Sequence, residues 1–151
     1  MLEVLAQFRV VIKSIRRHYQ DVERRAGLSG AQLWALSEVA KGPGCQVGQL
    51  ARSLAIHQST ASNLLRRLEG LGLVRRHRRG KDQRKVQLYA TKKGLQALKG
   101  APQPFIGVLQ QALSDLPAVN LDLLHRQLVQ LIKVMKVKAP QAARTTPLSD
   151  L

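Results

Sequence analysis

Residues 73–91 read Leu-Val-Arg-Arg-His-Arg-Arg-Gly-Lys-Asp-Gln-Arg-Lys-Val-Gln-Leu-Tyr-Ala-Thr, and this stretch decides the fold. Val86, Leu88 and Ala90 alternate with Gln87 and Tyr89, the period of a strand buried on one face. With the residues from Leu73 onward they form a two-stranded hairpin. Its tip is almost solid positive charge: seven of the residues from Leu73 to Lys85 are Arg or Lys, against one acid, Asp82. A tip that repels itself finds its natural partner in a polyanion.

Just before the hairpin, residues 59–71 have the period of a helix, with Ala61, Leu64, Leu65, Leu68 and Leu71 inward and Gly70 and Gly72 bracketing its end. Its outer side carries Gln58, Ser59, Thr60, Ser62, Asn63, Arg66 and Arg67. Amides and hydroxyls in the first turns of such a helix suit base edges in the major groove, where every base pair presents a different donor and acceptor pattern. Asn63 or Gln58 is suited to adenine, and the arginines further along to the backbone. Capping the helix is the alternative role for Ser59 and Thr60. Upstream, Val47, Leu50, Ala51 and Leu54 give another short helix, and Ala55, Ile56 and His57 a tight turn. Two short helices joined in this way make a helix-turn-helix, to which the hairpin adds a wing.

Within the wing, Arg84 lies near the tip, where an arginine can enter the minor groove. Asp82, two residues earlier on the same side of the strand, is a poor phosphate ligand and better suited to holding Arg84 or closing the turn. Arg78, Arg79, Lys81 and Lys85 are expected on phosphates, which gives affinity without sequence information.

Further out, residues 2–25 have apolar positions at 5, 8, 12, 15 and 19, one helix face. Gly27 ends this helix, and Ser29 with Gln32 forms a capping box for the next. That helix turns Leu33, Leu36, Val39 and Ala40 inward and stops at Gly42-Pro43-Gly44. On the other side of the hairpin, Thr91 caps a helix that runs through Leu95 and Leu98. It is interrupted over 100–104 by two prolines and resumes through Phe105, Val108, Leu109 and Leu113. Pro117 starts the last helix, where Leu121, Leu124, Leu128, Leu131 and Met135 form a heptad seam. Both end helices are too apolar for one short domain to cover. A symmetric homodimer formed by residues 1–25 and 105–138 would bury them; packing of the first helix on the last within one chain is the alternative. Residues 139–151 are small and polar and read as a disordered tail.

The chain of 151 residues carries a formal charge of +16, and the charge is unevenly spread. From Arg52 to Lys93 there are 12 basic residues and two acids, an asymmetry that points to a nucleic-acid surface. Cys45 is the only cysteine, so no intrachain disulfide forms, which suits a reducing cytoplasm. No apolar run approaches the roughly 18 residues of a membrane span, and the first segment reads as a structural helix.

The matched blocks, taken in order, resemble the MarR family of bacterial transcription regulators. They are Gln49-Leu-Ala51 and Ser59-Thr-Ala-Ser62 in the helix-turn-helix, Leu68-Glu-Gly-Leu-Gly-Leu-Val-Arg75 leading into the wing, Asp82-Gln-Arg84 in it, and Leu88-Tyr-Ala-Thr-Lys-Lys-Gly94 at its exit. The resemblance is close over about residues 30–98 and positional in the flanking helices, so that 1–138 reads as a single domain of this kind. It implies a mainly helical winged helix-turn-helix dimer on a near-palindromic operator. It also implies repression, relieved by a small ligand or by cysteine oxidation. By the same resemblance Arg84 takes the minor-groove role and Asp82 that of its orienting acid. His57, where a short polar cap is usual, and the prolines of 100–104 depart from the pattern.

Ligands of the family enter between the dimer helices and the DNA-binding lobe. His18, Tyr19 and Trp34 are the groups that could line such a cleft here, with Arg16 or Arg17 for an anion; core packing or solvent exposure is the plainer role for each. Cys45 reads as a packed thiol more readily than as a redox sensor. The four histidines (18, 57, 77 and 125) form no close pair with each other or with Cys45, so no metal or other cofactor is expected. No phosphate loop, paired cysteine motif or nucleophile elbow proposes an enzyme. Two rival readings stay open: an architectural DNA-binding protein, which the charge would suit, and an RNA-binding winged helix, disfavoured by the 3% aromatic content.

Overall fold

A computed structural model describes residues 1–78, 86–136 and 147. The elements run α1 (Leu2–Ala26), α2 (Gly30–Lys41), α3 (Val47–Ser53), α4 (Gln58–Gly70), β1 (Val74–Arg78), β2 (Val86–Ala90), α5 (Lys92–Gly100), α6 (Val108–Asp115) and α7 (Ala118–Val134). This is the mainly helical winged fold expected, with one antiparallel hairpin in the register Val74↔Ala90 through Arg78↔Val86.

The core is built around α2. Its apolar residues face several ways, and α1, α3, α4, α5 and β2 all pack on it. Leu33, Leu36 and Val39 are fully buried with Leu50, Leu65, Leu68, Leu88 and Val22. Ser37, buried among them, donates to the Trp34 carbonyl at 2.8 Å, so its hydroxyl costs little there. The capping box forms as the spacing requires: Gln32 N–H donates to Ser29 Oγ, and Ser29 N–H to Gln32 Oε1 at 2.9 Å. Gly27 closes α1 in the left-handed conformation at φ 64°.

Several local expectations are corrected. α4 begins one residue earlier than its period suggested, at Gln58, with His57 as N-cap and no side-chain cap bond. Ser59 and Thr60 therefore sit inside the first turn and cap nothing. Leu71 lies beyond the helix end and is 44% exposed; Leu73, after the turn at Gly72, takes the core position instead. Phe105 stays in the 101–107 connection, where it packs half-buried against the core. The sheet also gains a contact that no period announces. Cys45 bridges Leu88 in antiparallel fashion, with Leu88 N–H donating to the Cys45 carbonyl at 3.0 Å and Gly44 N–H to the Leu88 carbonyl at 2.8 Å.

The interruption between α5 and α6 falls where the prolines placed it. Past it, α7 has no buried residue; Leu121, Leu124 and Leu131 of the seam are 38–40% exposed. Leu5, Phe8 and Ile12 of α1 are exposed as well. The first helix packs on α2, α5 and α6 and leaves the seam of the last one open. Apart from Pro147, the tail of 139–151 lies outside the described residues.

Candidate nucleic-acid interface

Helix α4 is positioned from below. Ala61, Leu64, Leu65 and Leu68 of α4 enter the core, and α4 packs on α2 and α3. The turn between α3 and α4 is closed by Ile56 N–H donating to the Ala51 carbonyl at 3.0 Å, with Ala55 at φ 53°. At the start of α3, Gln49 Oε1 accepts from Gln46 N–H at 2.8 Å. With its inner face used in this way, α4 presents Gln58, Ser59, Asn63, Arg66 and Arg67 to solvent, while Thr60 and Ser62 are half-buried at its flanks. Ser59, Asn63 and Arg66 follow each other by four and three residues, so they stand in one row. Asn63 Oδ1 accepts from Arg66 Nη1 at 3.1 Å. That contact holds the guanidinium over the helix and leaves the Asn63 amide nitrogen free to donate.

The base of the wing is tied to this helix. Arg76 Nε of β1 meets Glu69 Oε1 of α4 at 2.9 Å, a half-exposed pair that orients more than it stabilises. Lys93 Nζ donates to the Leu71 carbonyl at 2.8 Å, a cation at a helix C-terminus, where the backbone dipole favours it. Thr91 Oγ1 donates to the Gly72 carbonyl at 2.7 Å and accepts from Gly94 N–H at 3.1 Å. Thus the exit of the wing caps α5 and pins the turn before β1 with one hydroxyl. Arg75 lies 5.4 Å from the centre of the Tyr89 ring, and His77 packs edge-on against the same ring.

Among the residues picked out by sequence, Gln58, Ser59, Asn63, Arg66 and Arg67 stand together on the exposed face of α4, with Thr60 and Ser62 half-buried beside them. Arg78 closes β1 opposite Val86. Arg79, Lys81, Asp82, Arg84 and Lys85 lie outside the described residues. Sequence reasoning passed over Arg75, Arg76 and Lys93. No local signal marked Arg76 or Lys93, because the partners Glu69 and Leu71 are brought to them only by the return of the hairpin.

The three candidate effector residues divide. Tyr19 and Trp34 line one cavity with Leu54, Ile56 and Gln110, at the junction of α1, α2 and α6. Gln110 Nε2 donates to the Tyr19 hydroxyl at 3.3 Å, while buried Gln110 Oε1 has no hydrogen-bond partner among the described residues. The cavity holds about 20 Å³, room for a water molecule but not for an organic effector. His18 instead faces an open groove beside Arg17, Arg24 and Gln103. Burial pushes its pKa down, partly opposed by its hydrogen bond to the Pro104 backbone and by nearby Asp21. Burial pushes the Cys45 thiol up. Among the described residues no three His, Cys, Asp or Glu side chains gather as a metal site, and no helix is long and apolar enough to cross a membrane.

Residues 26–85 match the model of the MarR family. No curated protein matches the chain. Solved structures do. The transcriptional regulator BldR from Sulfolobus solfataricus is 27% identical, with 89% of this chain and 93% of that one covered and a TM-score of 0.56. The S. aureus MepR–DNA complex is 21% identical, with 87% and 96% covered and a TM-score of 0.59. A MepR-like protein complexed with pseudoligands is 19% identical, with 89% and 95% covered and a TM-score of 0.60.

Proposed function

We propose that the chain, whose residues 26–85 match the MarR-family model, is a transcription regulator that binds a near-palindromic operator in duplex DNA as a homodimer. The observation that carries this reading is the exposed row on α4. Gln58, Ser59 and Asn63 offer donors and acceptors to base edges, and Arg66 and Arg67 follow toward the backbone. Thr60 and Ser62 flank the row. The wing assignments made from sequence complete it, with Arg84 in the minor groove, Asp82 orienting it, and Arg78, Arg79, Lys81 and Lys85 on phosphates. MepR, of the same fold, has been solved on DNA.

The uncovered apolar faces of α1 and α7 support the dimer. Occupying an operator in this way represses, and a small effector would relieve it. Tyr19, Trp34 and the unpartnered Gln110 oxygen are where such a molecule would enter, by opening a cavity now closed around one water's volume. His18 belongs to the neighbouring groove. The work is binding rather than catalysis, and the single shielded thiol suits a cytoplasmic protein.

The high overall charge favours one alternative, an architectural protein with little sequence preference. Selection of bound sequences from a random duplex pool at physiological salt separates the two. An enriched inverted repeat, with half-sites about one helical turn apart, is expected. Strong binding with no enriched motif would overturn the regulator in favour of the architectural protein.

A further inference from the structure

The positive charge outside the helix-turn-helix and wing is not scattered. α1 carries six basic residues against three acids. Asp21 pairs with Arg24 and Arg25, which leaves Arg9, Lys13, Arg16 and Arg17 with no acidic partner among the described residues. At about 100° per residue these four fall within an arc of roughly 100°, and Arg24 lies in the same arc. Four of the six residues that line one shallow groove along α1 are Arg9, Lys13, Arg16 and Arg17.

The direction of this stripe matters. Val22 is the buried residue of α1 and enters the core cluster with Leu33 and Leu36 of α2. On the helical wheel it stands roughly 170° from the stripe, so the cations point away from the body of the molecule. The apolar positions 5, 8, 12, 15 and 19 centre about 110° from it, so a dimer built on that face borders the stripe at Ile12 and leaves its far side open. α2 packs on α1 and also on α4. α1 and α4 make no comparable contact with each other, so the stripe and the outer face of α4 lie on separate helices, each turned away from the core.

We propose that the basic stripe of α1 is a second, sequence-independent DNA-binding surface, which holds a duplex segment other than the one read by α4. From Arg9 to Arg17 the unpaired stripe runs about 12 Å, the length of roughly three to four phosphates along one strand. Unpaired cations on a solvent-facing helix release counterions from DNA on contact, whatever the sequence. Each protomer then has a specific face and a general one, and the protein bridges two segments of DNA.

The proposal takes from the preceding reading only that the protein meets duplex DNA. The test uses the full chain. A random-sequence duplex is fixed to beads, protein is added, and capture of a second, fluorescent duplex is measured across a salt series. A parallel arm measures binding to one duplex in solution. The variant R9Q/K13Q/R16Q/R17Q is expected to capture about tenfold less second duplex and to lower the salt slope of capture by about 3 to 4. Its melting temperature and its affinity for one duplex should stay as in the parent. The milder R16Q/R17Q, with about half the loss of slope, serves if the fourfold variant does not fold. Absence of capture by the parent protein, or equal capture by the variants, would overturn the proposal. So would a parallel loss of single-duplex affinity, which would place the stripe on the same DNA as α4. Retention of the parent protein on polyglutamate beads without duplex capture would assign the stripe to an acidic protein instead. Failure of operator recognition appears separately, as a missing sequence preference in the one-duplex arm.

Discussion

Gly94 sits where α5 leans on the chain leaving α4. A Cβ there would overlap the Leu73 carbonyl oxygen and press on Leu36 at 3.1 Å. Alanine would favour the helix by up to about 1 kcal/mol, but a clash against backbone has little room to relax and costs about 1–3 kcal/mol. Gly94→Ala is therefore expected to lower the urea midpoint, by a net loss of about 1–2 kcal/mol; a raised midpoint would show that the junction has slack. Cys45 gives a second outcome at this scale. Its thiol is pushed up by burial, so less thiolate is present at a given pH than in a free cysteine. Alkylation by iodoacetamide at pH 8 should run slower than that of free cysteine, and mild peroxide should leave DNA binding unchanged. Faster alkylation would restore a redox role. Both residues were visible in the sequence as types. Their constraints were not, because each is set by a neighbour distant along the chain, Leu73 for Gly94 and Leu88 for Cys45.

Elements with a strong period were legible. The inner face of α4 and the capping box of α2 follow from residue spacing alone, and the prolines of 100–104 marked the break between α5 and α6. Element ends were less so. Leu71 fits the α4 period, but the turn at Gly72 carries it outside, and Phe105 fits a helix that starts only at Val108. The bridge between Cys45 and Leu88 spans one residue on each side and leaves no periodic trace. The seam of α7 is the clearest test at this scale. Leu128 is half-buried within a helix whose other seam residues are exposed. Leu128→Glu would place a charge in the centre of the expected interface, where an unpaired buried charge is strongly unfavourable. The variant should run as a monomer in light scattering and lose operator affinity in step. A dimer of unchanged strength would move the interface elsewhere.

At the scale of the whole molecule, the formal charge of +16 makes ionic strength the dominant variable. With 12 basic residues between Arg52 and Lys93, affinity for DNA is expected to fall about a thousandfold or more between roughly 50 and 200 mM salt. A shallow dependence in a titration of binding against salt would mean that few of them touch phosphate. The pairing of Cys45 with Leu88 also acts across the whole lobe. It stitches the segment that launches α3 to the same strand that carries the wing, while Arg76 and Lys93 fasten the hairpin's foot to the end of α4. α4 and the root of the wing are thus two jaws of one caliper, held at one opening by the core and by these contacts. A locked caliper gauges what is put between its jaws instead of yielding to it. On the proposed reading, a DNA sequence whose grooves are spaced otherwise would have to bend to fit, and stiff sequences would be disfavoured by their mechanics.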